Sequence, residues 1–141
     1  MDIEVTFPGG KRVDAQVGAF TVHTDQPVDA GGGGTAPGPF DLFLASIASC
    51  AGIYALGFCQ ARGLSIDGMA ITQRYEPDPT TGLPARIHME LRLPVGFPER
   101  YRTAIVRAAE GCKVKKTMAA APTVEIVARP ASEGAQSAAH A

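Results

Sequence analysis

Charge is what this chain has least of. Charged residues make up 19% of its 141 residues and the formal net charge is −1, so nothing electrostatic points to nucleic acid or an anionic membrane surface as a partner. The opening stretch, residues 1–14, lacks an apolar signal-peptide core, and an intracellular, cytoplasmic location is the expectation. No internal repeat is present. No CxxC pair offers zinc ligands, no GxSxG elbow supports Ser46 or Ser49 as a hydrolase nucleophile, and the four glycines at 31–34 lack the lysine and Ser/Thr of a phosphate-binding loop. Cysteine is scarce and odd in number: Cys50, Cys59 and Cys112. In a reducing compartment that count argues for thiols used as thiols rather than for a disulfide framework.

Hydrophobic residues, by contrast, amount to 45%, which makes the chain globular, and its length fits one domain. They concentrate in Pro37 to Gly63, broken only by Asp41 and Arg62. Pro39 suits a first helical turn, where its missing N–H costs nothing, and Gly63 suits the position past the end. About 23 residues between them give a helix of roughly 35 Å. Its apolar side chains run almost all round, so burial on nearly every side is expected. Length and apolarity would also fit a transmembrane span, but no second span, aromatic belt or basic flank accompanies it.

Ahead of this helix, Ile3, Val5 and Phe7 alternate with polar residues, Pro8-Gly9-Gly10 marks a turn, and Lys11 to Val17 alternates again, a hairpin pattern. Ala19 to Thr24 reads as a third strand, and Asp25 to Gly38 as a flexible glycine-rich connector. Beyond the helix, Leu64 to Tyr75 and Ala85 to Leu93 are strand-like. Glu99 to Glu110 has helical spacing, Gly111 breaks it, and Lys113 to Ala120 forms a short second helix. Thr123 to Ala128 reads as a last strand. The domain is expected over 1–129, with a disordered tail at 130–141. This order is α+β, with antiparallel strands around one long helix. Six strands from one subunit cannot cover such a helix, which argues for an intertwined homodimer.

Cys50 and Cys59 are nine apart, about 2.5 turns and 13 Å along one helix, on opposite faces. They cannot bond to each other, and Cys59 reads as a small buried apolar residue. Cys112 opens a helix and precedes Lys113, Lys115 and Lys116, a setting that favours thiolate. His23 and His88 each read as structural residues in strands.

Pro39-Phe40-Asp41-Leu42-Phe43-Leu44-Ala45 running into Ser49-Cys50, and later Glu110-Gly111-Cys112-Lys113-Val114 with Thr117-Met118, resemble the OsmC/Ohr superfamily, named for osmotically inducible protein C and organic hydroperoxide resistance protein. The resemblance spans roughly Asp2 to Arg129. It implies an interwoven homodimer with active sites at the subunit interface. It also implies a first cysteine, Cys50, that attacks a hydroperoxide, and a second, Cys112, that forms a disulfide with the resulting sulfenic acid. A dithiol, typically a lipoyl group, regenerates the pair, and no metal or cofactor is required. In the peroxidases an acidic residue ten places before the first cysteine helps hold an activating arginine. Here Phe40 occupies that place and the acid is Asp41, rotated by about 100° on a helix. Arg12 is the candidate cation, with Lys11 aligning nearly as well. Lys113 stands where proline is common. These departures mark a divergent member, expected to be an organic hydroperoxide peroxidase with Cys50, Cys112, Arg12 and Asp41 at its site. The alternative is a dimeric protein that binds a small apolar ligand without turnover.

Overall fold

In a computed structural model, which describes residues 1–131, the alternating N-terminal segments form a meander. Strands β1 (Ile3–Gly9), β2 (Arg12–Val17) and β3 (Phe20–Thr24) pair antiparallel in sequence order. The register sets Val5 against Ala15 and Asp14 against His23, with an irregularity between Thr6 and Gly9 at the first turn. The long helix α1 runs Pro39–Gln60 with Pro in its first turn, as the punctuation predicts. Gly63 follows in the left-handed region at φ +61° and turns the chain away. A second antiparallel pair, β4 (Ala70–Pro77) and β5 (Pro84–Arg92), precedes helices α2 (Arg102–Glu110) and α3 (Lys113–Ala119). The architecture is α+β, with two small antiparallel sheets and one long helix.

The core gathers at the C-terminal half of α1. Ala55, Phe58 and Cys59 pack with Ile105 of α2, and Leu64, Leu91, Leu93 and Phe97 close around them. Tyr101 meets the Phe58 ring edge-on at 5.7 Å. Arg62 then lies 3.7 Å over the same ring and donates from Nη1 to the Phe58 carbonyl, finishing the helix. Ile105 is fully buried, which contributes about 1.5–3 kcal/mol relative to an exposed site.

The rest of α1 departs from the expectation of all-round burial. Only 28% of its most apolar window is covered, although the helix is long and apolar enough to cross a membrane. Phe40, Phe43, Ile53 and Tyr54 are exposed, as are Ile3, Val5, Phe7 and Phe20 of the first sheet. One chain covers one face of the helix and stops there. The expected last strand is also missing: residues 121–131 have no regular structure, and Val124, Ile126 and Val127 are exposed. An alternating segment becomes a strand only when it pairs with an edge, and among the described residues this segment pairs with none. The tail expected from Pro130 lies, from residue 132 onward, outside the described residues.

The glycine-rich connector is not the open tether its composition suggests. Asp25, 1% exposed, accepts hydrogen bonds from the Gln26 N–H at 2.7 Å, the Gly33 N–H at 3.2 Å, the Thr35 N–H at 3.1 Å and the Thr35 hydroxyl at 2.7 Å. Those donors, the Thr35 hydroxyl foremost, hold its carboxyl down to about 2. Gly32 donates to the Pro27 carbonyl and Gly34 to the Gln26 carbonyl. A Cβ on Gly32 would sit 1.9 Å from the Gln26 carbonyl oxygen, so this position has no room for a side chain. Glycine is needed here for close approach, and the folded-back loop delivers Pro37 and Gly38 to the start of α1.

Candidate active site

Cys50 lies near the middle of α1, half-buried, beside the junction of α2 and α3. The neighbouring hydroxyls do not compete for its sulfur. Ser46 donates to the Phe43 carbonyl at 2.6 Å and Ser49 to the Ala45 carbonyl at 2.8 Å. Gly111 ends α2, and Cys112 then becomes the N-cap of α3, its backbone extended and its Sγ accepting the Lys115 N–H at 3.4 Å. All three cysteines are unpaired.

The first turn of α3 acts directly on Cys50. The Val114 amide is the largest influence holding its thiol below the ordinary value. Partial burial opposes this, and the Cys112 thiol, the Lys113 amide and the Lys113 ammonium add to the lowering. The two cysteines therefore lie on facing elements, α1 and the start of α3, although 62 residues separate them, and the Cys112 thiol favours the Cys50 thiolate. Their burial is the reverse of what a shielded nucleophile and a mobile partner would show. Cys112 is 0% exposed and anchored as a cap, whereas Cys50 is the accessible one. Cys59, also 0% exposed, faces the core; there burial pushes the thiol up, and Arg62 only partly offsets it.

Two other expected residues are not brought to the sulfurs within this chain. Arg12 on β2 pairs through Nη2 with Asp14 Oδ2 at 3.7 Å, and His23 Nδ1 lies 2.9 Å from that same oxygen. The second Asp14 oxygen is buried without a partner. Asp41 is engaged at the start of α1, where its Oδ2 accepts the Gly38 N–H at 2.9 Å. The histidines, read as structural residues in strands, both face carboxylates: His23 meets Asp14, and His88 Nε2 lies 3.0 Å from Glu76. The missed signal is hairpin symmetry, since a turn centred on Gly18–Ala19 places residue 14 opposite residue 23. Among the described residues no three His, Cys, Asp or Glu side chains come together as a metal site requires.

Between α1 and the β4–β5 pair lies an apolar cleft of about 470 Å³, lined by Ala51, Ile71, Met89, Leu91, Val106 and Lys115 among others. A second, of about 420 Å³, runs past Ala48, Gly52 and Leu56. Cys50 lines neither; its neighbours Ser49 and Ala51 do.

The family model for OsmC-like protein matches residues 31–127, more than half of the chain and the whole stretch from the connector through both site cysteines. The chain belongs to the OsmC-like family. No match is found among curated proteins. Solved structures repeat its fold. An osmotic stress induced and detoxification response protein from Psychrobacter arcticus is 23% identical, with a TM-score of 0.70, covering 82% of this chain and 85% of that one. An organic hydroperoxide resistance protein OsmC from Legionella pneumophila is 20% identical, with a TM-score of 0.53 and coverage of 84% and 89%. The organic hydroperoxide resistance protein OhrB of Bacillus subtilis is 21% identical, with a TM-score of 0.50 and coverage of 84% and 90%. At these identities the likeness carries the fold of this OsmC-like chain and not its activity.

Proposed function

We propose that this OsmC-like protein is a thiol-dependent peroxidase that reduces organic hydroperoxides. The observation that carries the reading is the half-buried Cys50 thiol on α1, held below its ordinary value by the start of α3, where Cys112 is the N-cap. Family membership supports a role in peroxide stress. The Cys50 thiolate attacks the distal peroxide oxygen; the O–O bond breaks, Cys50 becomes a sulfenic acid, and the alkoxide leaves as alcohol after taking a proton. The Cys112 thiol then condenses with the sulfenic acid, forming the S–S bond and releasing water. An external dithiol, of the lipoyl type, restores both thiols and is itself oxidised to a disulfide. Sulfur carries both electrons, so the cycle needs no metal or other cofactor. Cytoplasm, where thiols stay reduced, is the compartment that suits it.

A homodimer belongs to the same reading. The bare face of α1, the exposed face of the first sheet and the unpaired segment 121–131 are surfaces that a second copy would cover. Arg12, remote from Cys50 within one chain, takes part in this reading only if delivered from that second subunit. Sedimentation of a well-folded monomer at micromolar concentration would remove this part of the proposal.

The competing reading is a dimeric protein that binds a small apolar ligand without turnover. It draws on the two apolar clefts flanking α1 and on Asp41, which is committed to capping. Mass spectrometry after one equivalent of cumene hydroperoxide separates the two. Wild type is expected to give a Cys50–Cys112 disulfide, and Cys112→Ser a Cys50 sulfenic acid that dimedone traps. No oxidation, or a Cys50–Cys59 disulfide, would leave the binding protein as the better account.

A further inference from the structure

Resting on the homodimer proposed above, we infer that residues 124–129 of one subunit add as an antiparallel strand to the free edge of β1 in the other. The segment has the pattern of a strand and no partner. Val124 and Ile126 alternate with Glu125 and Val127, all four are exposed, Ile126 at 92%, and among the described residues they join no ladder. Strand β1 is the counterpart: only β2 flanks it, and all seven of its residues are exposed. An open edge of this kind takes up an extended segment from another chain through main-chain hydrogen bonds. The other free edges suit the segment less. Strands β4 and β5 carry Arg74, Glu76, Arg86 and Glu90 and meet at Pro77 and Pro84, the features that blunt an edge. Strand β3 offers no acidic residue to Arg129.

Orientation and register follow from charge and proline. With the strands antiparallel and Val5 opposite Ile126, Ile3 faces Ala128, Phe7 faces Val124 and Asp2 faces Arg129. Apolar side chains then share one side of the ladder, and the one charged pair is of opposite sign. Pro8 and Pro130, which are unsuited to the middle of a ladder, both fall just outside the paired run. A parallel arrangement that keeps Val5 opposite Ile126 sets Glu4 against Glu125, and so does an antiparallel slip of two residues in one direction. The slip in the other direction draws both prolines into the ladder, Pro8 opposite Glu125 and Pro130 opposite Ile3. Two-fold symmetry makes the exchange reciprocal, so each subunit gives one strand and receives one. The segment follows α3 directly, so the pairing also ties down the far end of the helix that Cys112 caps.

For the test, full-length chains carrying one substitution each, Val5→Cys and Ile126→Cys, are co-expressed and oxidised, and linked peptides are identified by mass spectrometry. Opposed residues of an antiparallel ladder have Cα atoms about 4.5–5.5 Å apart, within the span of a disulfide. A disulfide between the two introduced thiols is expected, and in this mixture it can only join different chains. Val5→Cys co-expressed with Val124→Cys, two residues out of register, should give little. Equal linkage in that second mixture overturns the inference. So does no linkage in the first, or a link that forms at monomer mass only when both substitutions lie in one chain. In sedimentation, Ile126→Asp is expected to raise the dimer dissociation constant about tenfold or more, the ratio that burying such a side chain supplies. Arg129→Asp should raise it about two- to fivefold, and adding Asp2→Arg should restore it. The two readings fail differently. A wild-type monomer removes the homodimer itself, whereas a dimer indifferent to Ile126→Asp leaves the homodimer standing and overturns the strand exchange.

Discussion

Cys50 and Cys59 sit on one helix, two and a half turns apart, and their thiols are driven in opposite directions. Cys50 faces the first turn of α3, where two amides, a thiol and an ammonium outweigh partial burial. Cys59 faces Phe58, Ala55 and Ile105, where the loss of water outweighs the Arg62 charge and the thiol rises. Helix propensity and residue type are identical at both sites, so the difference belongs wholly to what packs against each face. One side of α1 holds the fold together and the other presents a half-buried thiol to α3.

Substitutions can break this contrast from either side. The largest effect is expected at Cys50→Ser, which should abolish hydroperoxide consumption in a steady-state assay. Because the site is half-buried, its melting temperature should report a loss of only about 1 kcal/mol or less. On the core side, Ile105→Ala removes a fully buried side chain and should cost about 2–5 kcal/mol in urea unfolding. Cys59→Ser places a hydroxyl where no acceptor is provided and should cost about 1–3 kcal/mol, while Cys50 alkylation and oxidation stay as in wild type. A Cys59→Ser protein that keeps its stability but loses turnover would erase the distinction between the faces. Asp41→Ala sharpens it more gently. If Asp41 serves the helix rather than the sulfur, the variant should lose about 1 kcal/mol of stability and leave the Cys50 alkylation midpoint unchanged.

Acid offers a further probe that touches neither cysteine. Asp25 titrates near 2 when folded against an ordinary 3.8, so its contribution is fully present above the ordinary value. It is lost as pH falls from there through about 2, because the unfolded chain then takes up the proton first. Thermal melts over that window should fall less steeply for Asp25→Asn than for wild type. Equal slopes would show that the carboxylate's hydrogen bonds do not couple to folding.

Much of this was legible beforehand because it is local. Pro39 and Gly63 bracketed the long helix, Gly111 separated α2 from α3, and the alternation in residues 3–24 gave the meander. That Cys50 lies on the long helix and Cys112 at the start of the next short one was also legible, from the residues around each sulfur. What escaped depends on tertiary partners. Four glycines read as slack because composition does not reveal that Asp25 gathers the Gly33 amide with Gln26 and Thr35, or that Gly32 and Gly34 donate back to Pro27 and Gln26. The partner of His23 escaped because its carboxylate, Asp14, lies across a turn. Residues 123–128 read as a strand because alternation signals the wish for an edge and not its presence. The burial of Cys112 also escaped, since a helix start reads as exposed and only the packing of the α3 cap shows it covered.

The glycine run at 31–34 has a consequence for how such sequences are read by eye. Four identical letters look like the most compressible part of the chain, a spacer whose content is only its length. Gly32 is barred from any side chain by the Gln26 carbonyl, and Gly31 is held at φ +84°, where side chains are rarely accommodated. The letters coincide, but the constraints behind them are separate. A randomised library across these four codons would return glycine at Gly32 and Gly31 for two unrelated reasons, and a repeat in the alphabet would prove to be no repeat in the grammar.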